Sequence, residues 1–192
     1  TGTNEGRTIR DRRGDHSPRE KPVSEAGDLI EATTPGAVLE EIEERGELTL
    51  VVAKDQLLPV ARFLQGPPLS YVLLSDVTCA DYPEHPDRFR LAYQLTSIES
   101  GTFLRLRVWA GARDPEVPSV TPVWKTANWL EREVFDLFGV RFEGHPDLCR
   151  ILMPLDWEGH PLRRDYPIGG EEVEFSHHVL GGGDTMRTRP DA

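Results

Sequence analysis

From Arg141 to Ile168 the chain is rich in large apolar side chains that recur at neither helical nor strand spacing. Phe142, Leu148, Ile151, Leu152, Met153, Trp157, Leu162 and Tyr166 make the segment too apolar for a solvated tail. A loop beyond about 12–15 residues is unusual in a compact domain unless it serves a purpose. The segment is therefore expected to be an extended arm, its apolar anchors seated on Trp129 and Phe135 or on another chain. Within it Glu143-Gly144-His145-Pro146 recurs as Glu158-Gly159-His160-Pro161. Gly permits a positive φ and Pro holds the preceding His extended, so the two copies read as equivalent corners.

The body before the arm reads as α+β. A helix is expected over Pro35–Arg45, its inward stripe Ala37, Val38, Leu39 and Ile42, with Thr34 as cap and Gly46 as stop. Glu47–Ala53 reads as a strand. Gln56–Leu64 reads as a helix capped by Asp55 and ended by Gly66-Pro67-Pro68. Ser70–Ala80, Phe89–Ser97 and Phe103–Ala110 read as strands joined by short turns, hence an antiparallel meander. In the last, Phe103, Leu106, Val108 and Ala110 are expected inward, with Leu104 set aside, and Arg105, Arg107 and Trp109 outward.

Thr121–Val140 is the strongest helix signal, with Thr121 capping, Pro122 first and Gly139 stopping it. Val123, Ala127, Leu130, Val134, Leu137 and Phe138 share one arc. Trp129 and Phe135 fall outside it and call for a second covering. Glu131 lies at its margin and needs a donor, for which Arg163 or Arg164 is expected, while Arg132 and Asp136 read as an exposed i, i+4 pair. The expected fold has helices on one face of a small, mostly antiparallel sheet, followed by a long helix and an extended irregular C-terminal arm. The expected organisation is a mobile arm over 1–27, an α+β domain over 28–140, the partner-binding arm over 141–168 and a mobile tail over 169–192.

Composition removes several classes of function. The formal charge of −11 opposes nucleic-acid binding. No apolar run reaches the roughly 18 residues that span a bilayer, and no signal peptide is evident, so membrane association is expected only through a partner. Cys79 and Cys149 are too sparse for a disulfide framework and suit a reducing compartment. His145, Cys149, His160, His177 and His178 match no closed zinc spacing. Glu131 and Glu133 point about 200° apart on a helix and cannot serve one cleft as an acid/base pair. Gly181-Gly182-Gly183 lacks the preceding strand and following Lys of a phosphate loop. Arg105 and Arg107 face outward, as a solvated surface or as a site for an anion or acidic partner.

Four motifs in order, Glu131–Gly139 (EREVFDLFG), Phe142–Leu148 (FEGHPDL), Arg150–Pro154 (RILMP) and Glu158–Pro167 (EGHPLRRDYP), resemble the signature of the 30-kDa subunit of respiratory NADH dehydrogenase. The resemblance is tight over Ala127–Pro167; Cys149 departs from it, where a basic residue is usual. It implies a non-catalytic structural subunit with no flavin, cluster or quinone of its own. The complex around it uses FMN, iron–sulfur clusters, NADH and quinone, and pumps protons. The implied partners are hydrophilic-arm subunits, chiefly the 49-kDa chain of the quinone module, on the cytoplasmic face of a bacterial plasma membrane. The residues expected to anchor the arm or meet a partner are Trp129, Glu131, Arg132, Phe135, Phe142, His145, Ile151, Leu152, Trp157, His160, Arg163, Arg164, Asp165 and Tyr166. Two alternatives stand beside this reading. One is the equivalent subunit of a photosynthetic, F420-dependent or hydrogenase relative. The other is an independent metal-dependent enzyme or a free-standing binding module.

Overall fold

The structure, a computed structural model, describes residues 25–167. In chain order the elements are α1 (Glu25–Thr33), β1 (Val38–Glu44), β2 (Glu47–Val52), a 3-10 turn (Lys54–Gln56), α2 (Leu57–Gln65), β3 (Leu73–Asp81), β4 (Phe89–Ser97), β5 (Thr102–Ala110), β6 (Glu116–Pro118), α3 (Ala127–Phe138) and β7 (Arg141–Glu143). The main sheet runs β1-β2-β5-β4-β3. Its pairs are antiparallel except β2 with β5. The fold is thus α+β with a mixed sheet and a helix after it, as expected. A short parallel pair, β6 with β7, was not foreseen.

One sheet face is the core. Phe89, Leu91, Tyr93 and Leu95 of β4 alternate with half-exposed residues, and Leu104, Leu106, Val108 and Ala110 of β5 do the same. Ile30 of α1, Leu57, Val60 and Leu64 of α2, and Ala127, Val134 and Phe138 of α3 pack into the same cluster. Leu104 therefore belongs to the inward set and Phe103 points outward, reversing the expectation at that end of β5. Two adjacent apolar residues leave strand parity open, and pairing of Leu104 with Leu48 and Leu95 settles it.

The helix expected over Pro35–Arg45 is instead β1, folded onto β2 as a hairpin. Arg45 (φ 56°) and Gly46 (φ 80°) are both left-handed, the two-residue turn whose twist matches paired strands. The preceding helix is α1, which takes up Glu25, Ala26 and Gly27, placed by sequence in the N-terminal arm. β3 starts three residues later than expected, and Asp55 sits inside the 3-10 turn without capping α2. α3 starts at Ala127, so Thr121 and Pro122 neither cap nor open it. Gly139 (φ 71°) does end it.

Candidate partner-docking site

The arm is fastened to α3 by one buried carboxylate. Asp136 is fully buried, which opposes its ionisation. Its Oδ2 accepts the main-chain N–H groups of Ile151, Leu152 and Met153 at 3.0, 2.8 and 2.8 Å, and Oδ1 accepts from Arg150 Nη1 at 2.6 Å. Together these donors outweigh burial and hold the carboxyl below its ordinary range. Successive N–H groups converging on an anion form a nest, here built by the arm around a side chain of the domain. Arg150 also donates to the carbonyls of Trp157 (3.0 Å) and Gly159 (2.9 Å), which folds the arm back on itself. The expected exposed Arg132–Asp136 pair does not form. Arg132 instead donates to the carbonyls of Cys149 (3.1 Å) and Arg150 (3.2 Å).

A helix end leaves its last carbonyls without intrahelical partners. The arm supplies most of those missing at α3. Gly139 N–H closes on Phe135, His160 Nδ1 on Asp136 (2.9 Å), Leu162 N–H on Leu137 (3.0 Å) and Arg163 Nε on Phe138. Arg150 and Arg163 also bring positive charge to the negative end of the helix. The close fit requires glycine, because a Cβ at Gly139 would run into His160 and the Arg163 guanidinium. Arg163, expected to serve Glu131, is thus committed to the helix end. Arg164 offers its main-chain N–H to Asp81 at 2.8 Å. Asp81 also holds Arg88 through two contacts of 2.6 Å, and Arg88 reaches Asp165 at 2.8 Å.

Glu131 finds its donors before the helix. Its Oε2 accepts the Ser119 hydroxyl and its Oε1 the Val120 N–H, both at 2.7 Å. The side chain is fully buried, and burial outweighs these bonds to push its pKa up to about 7. His145 Nε2 lies 4.0 Å away and donates to the Asn128 carbonyl (3.1 Å), while Nδ1 accepts Asp147 N–H (3.0 Å). The two Gly-His-Pro corners share a positive φ, at Gly144 (80°) and Gly159 (81°), and each sends its His to an α3 carbonyl through a different ring nitrogen.

A carboxyl whose folded pKa exceeds its unfolded value binds a proton on folding. Between about pH 4.5 and 7 stability therefore falls as pH rises, and above that window the cost is complete. Glu131→Gln keeps an acceptor for Val120 and removes the titration. Its stability relative to the parent should rise by roughly 2–3 kcal/mol between pH 4.5 and 7.5, read from urea midpoints.

With its polar groups spent on the domain, the arm leaves apolar side chains uncovered. Leu155 is 85% exposed, Trp129 62%, Leu152 59% and Leu162 52%. Trp129, expected to meet arm anchors or another chain, carries the Arg132 guanidinium on its ring at 5.1 Å and leaves the rest of its surface open. Phe135 meets His160 edge-on at 6.2 Å. Phe142 is buried in β7, Ile151 and Trp157 are half-buried, and the Tyr166 ring closes over Gly159. Sequence reasoning missed Asp136, Arg150 and Arg88 as holding residues. Cys149 contributes its carbonyl, so its departure from the family pattern leaves the Arg132 contact in place. No three His, Cys, Asp or Glu side chains converge as a metal site among the described residues. His177, His178 and Gly181-Gly182-Gly183 lie outside them, as do Ile168 and the expected tail.

Residues 50–172 match the family described as respiratory-chain NADH dehydrogenase, 30 Kd subunit. The chain belongs to that family. The C subunit of NADH-quinone oxidoreductase from Roseiflexus castenholzii is 46% identical over 148 residues, 77% of this chain and 85% of that protein. Its counterpart from Geobacter sulfurreducens is 47% identical over 139 residues, 72% and 85% of the two chains. Among solved structures, the trypsin-resistant fragment (1-134) of Nqo5 matches at TM-score 0.55 and 34% identity, covering 63% of this chain and 96% of that one. A chain of the membrane-bound sulfane sulfur reductase, an archaeal respiratory membrane complex, matches at TM-score 0.57 and 25% identity, covering 73% and 83%. The 30 Kd subunit fold thus occurs in respiratory complexes of more than one kind. No helix among the described residues is long and apolar enough to cross a membrane.

Proposed function

We propose that this 30 Kd-family chain is a non-catalytic brace in the peripheral arm of a proton-translocating NADH:quinone oxidoreductase. It sits on the cytoplasmic face of the membrane against the 49-kDa subunit and its hydrophilic neighbours. One observation carries the reading. The arm is locked to its own domain by buried polar bonds, yet it presents Leu152, Leu155 and Leu162 outward. Large apolar side chains held outward on a fastened segment favour a protein contact. The two carboxylates buried along α3 are spent on structure: Asp136 holds the arm and Glu131 ties α3 to the segment before it. In this reading NADH, FMN, iron–sulfur clusters and quinone belong to other chains, and this one fixes their relative positions. The electron donor is set elsewhere in the complex, and the naming of the relatives as NADH-quinone oxidoreductase favours NADH over the related complexes.

The test is Leu152→Asp/Leu155→Asp in the host. Burying a leucine contributes about 1.5–3 kcal/mol, so losing two should lower recovery of the chain in the purified complex at least ten-fold. The circular dichroism of the isolated variant should match the parent. Undiminished recovery would remove these leucines from any interface.

A further inference from the structure

The sheet face opposite the helices is half-open over β3, β4 and β5 among the described residues, and it carries both signs of charge, Arg90, Arg105 and Arg107 against Glu40, Glu44, Glu47 and Asp76. Ladder register lays the face out in rows. Leu73, Thr96 and Phe103 form one, followed by Asp76, Gln94, Arg105 and Thr49, then Thr78, Ala92, Arg107 and Val51, then Ala80, Arg90 and Trp109. Most of the carboxylates gather towards the first rows, where Glu47 holds Arg105 at 2.8 Å with Glu44 beside it and Asp76 opposite Gln94, while Glu40 of the edge strand β1 stands beyond Val51 in the Arg107 row. Arg90 and Arg107 occupy the other end. Neither side chain makes a hydrogen bond or ion pair among the described residues. They are diagonal cross-strand neighbours, about 7–8 Å apart at that spacing.

This cationic end has an aromatic border. Arg90 lies over the Tyr82 ring at 4.5 Å and the Trp109 ring at 5.8 Å, and His85 stacks on Trp109 at 3.9 Å. Arg107 is half-buried, and burial together with the charges of Arg90 and Arg105 disfavours its charged form, a cost that an incoming carboxylate would relieve. β4 and β5 are inner strands paired on both sides, so their main-chain N–H groups are spent in the ladder. A phosphate site would draw on such donors. What the face offers is a flat surface of guanidinium forks between aromatic rings, the composition of a protein contact centre.

We propose that this face docks an acidic surface of a neighbouring subunit, Arg90 and Arg107 receiving its carboxylates while Trp109 and Tyr82 pack against its apolar margin. Arg90 and Arg107 lie on the sheet face away from α3 and from Leu152 and Leu155, while Tyr82 and His85 border the same cavity as Leu162 and Arg164 of the arm. This docking rests on the chain being a subunit of a complex, and not on the arm being the other contact.

The test compares arginine labelling by phenylglyoxal in the purified complex and in the isolated full chain, read by peptide mass spectrometry. Arg90 and Arg107 should label in the isolated chain and be protected at least ten-fold in the complex, relative to the mean of exposed Arg45, Arg62 and Arg113. Arg90→Glu/Arg107→Glu should lower recovery in the complex at least ten-fold, and Arg90→Lys/Arg107→Lys should restore most of it. Equal labelling in both preparations overturns the proposal. So does protection in the isolated chain that vanishes on truncation after Pro167, which assigns the face to the chain's own tail. Equivalent protection by inorganic phosphate or by anionic vesicles overturns it in favour of an anion or a headgroup. The Leu152→Asp/Leu155→Asp variant keeps both arginines, so failure of one contact is readable while the other holds.

Discussion

Asp136→Ala should destabilise the folded chain by about 3–5 kcal/mol and release the arm, the largest single effect expected in this protein. The substitution leaves Arg150 without its 2.6 Å partner and strips the acceptor from three consecutive N–H groups. Loss of one member of a buried pair costs more than the pair contributes, because the other member stays desolvated. The arm should respond first. Amide exchange at Ile151, Leu152 and Met153 should become fast in the variant while the β4 and β5 amides remain slow. The pH dependence follows from the depressed pKa. Asp136 contributes its stability above the ordinary carboxylate range and loses it as pH falls through its lower folded value, so acid should reproduce the variant's arm exchange in the parent. A loss under about 1 kcal/mol would mean that the apolar anchors alone hold the arm.

Gly139→Ala should be nearly as damaging, and Gly144→Ala provides its control. Both glycines are left-handed, at φ 71° and 80°, which costs an alanine roughly 1–2 kcal/mol. They differ in surroundings. A Cβ at Gly144 meets nothing within 4 Å, whereas one at Gly139 collides with His160 and Arg163, the groups that satisfy the α3 carbonyls. Gly139→Ala should therefore exceed Gly144→Ala by about 1–3 kcal/mol, the usual cost of overpacking, as compared by thermal or urea unfolding. Equal losses would reduce Gly139 to its backbone conformation.

Both effects turn on residues that local pattern could not find. Alternation in β4 and β5 and the glycine stop of α3 are local signals, and β4, the body of β5 from Leu106 on and the end of α3 stand where the pattern puts them. β1 failed because Ala37, Val38, Leu39 and Ile42 fit a helical stripe as well as a strand. The Arg45-Gly46 turn that decides between them carries only half of the usual two-residue signature. Asp136 was read as exposed because a helical wheel reports only distance from the apolar arc. Its burial is made by N–H groups some fifteen residues downstream, in a segment without periodicity. Glu131 does need a donor, but its donors are Ser119 and Val120, just before the expected helix start at Thr121 and not in the arm. The arm itself was legible as a packed, aperiodic segment. Which of its side chains face the domain and which face away was not, since that follows from the clasp.

The direct measurement is hydroxyl-radical footprinting of Trp129, Leu152, Leu155 and Leu162, comparing the isolated chain with the same chain in the purified complex. These side chains should oxidise readily when the chain is alone and be shielded at least ten-fold in the complex, with exposed Ile98 changing less. Oxidation at the same rate in both would show the arm's apolar side chains facing solvent in the working assembly, and the brace would have to grip its neighbours elsewhere.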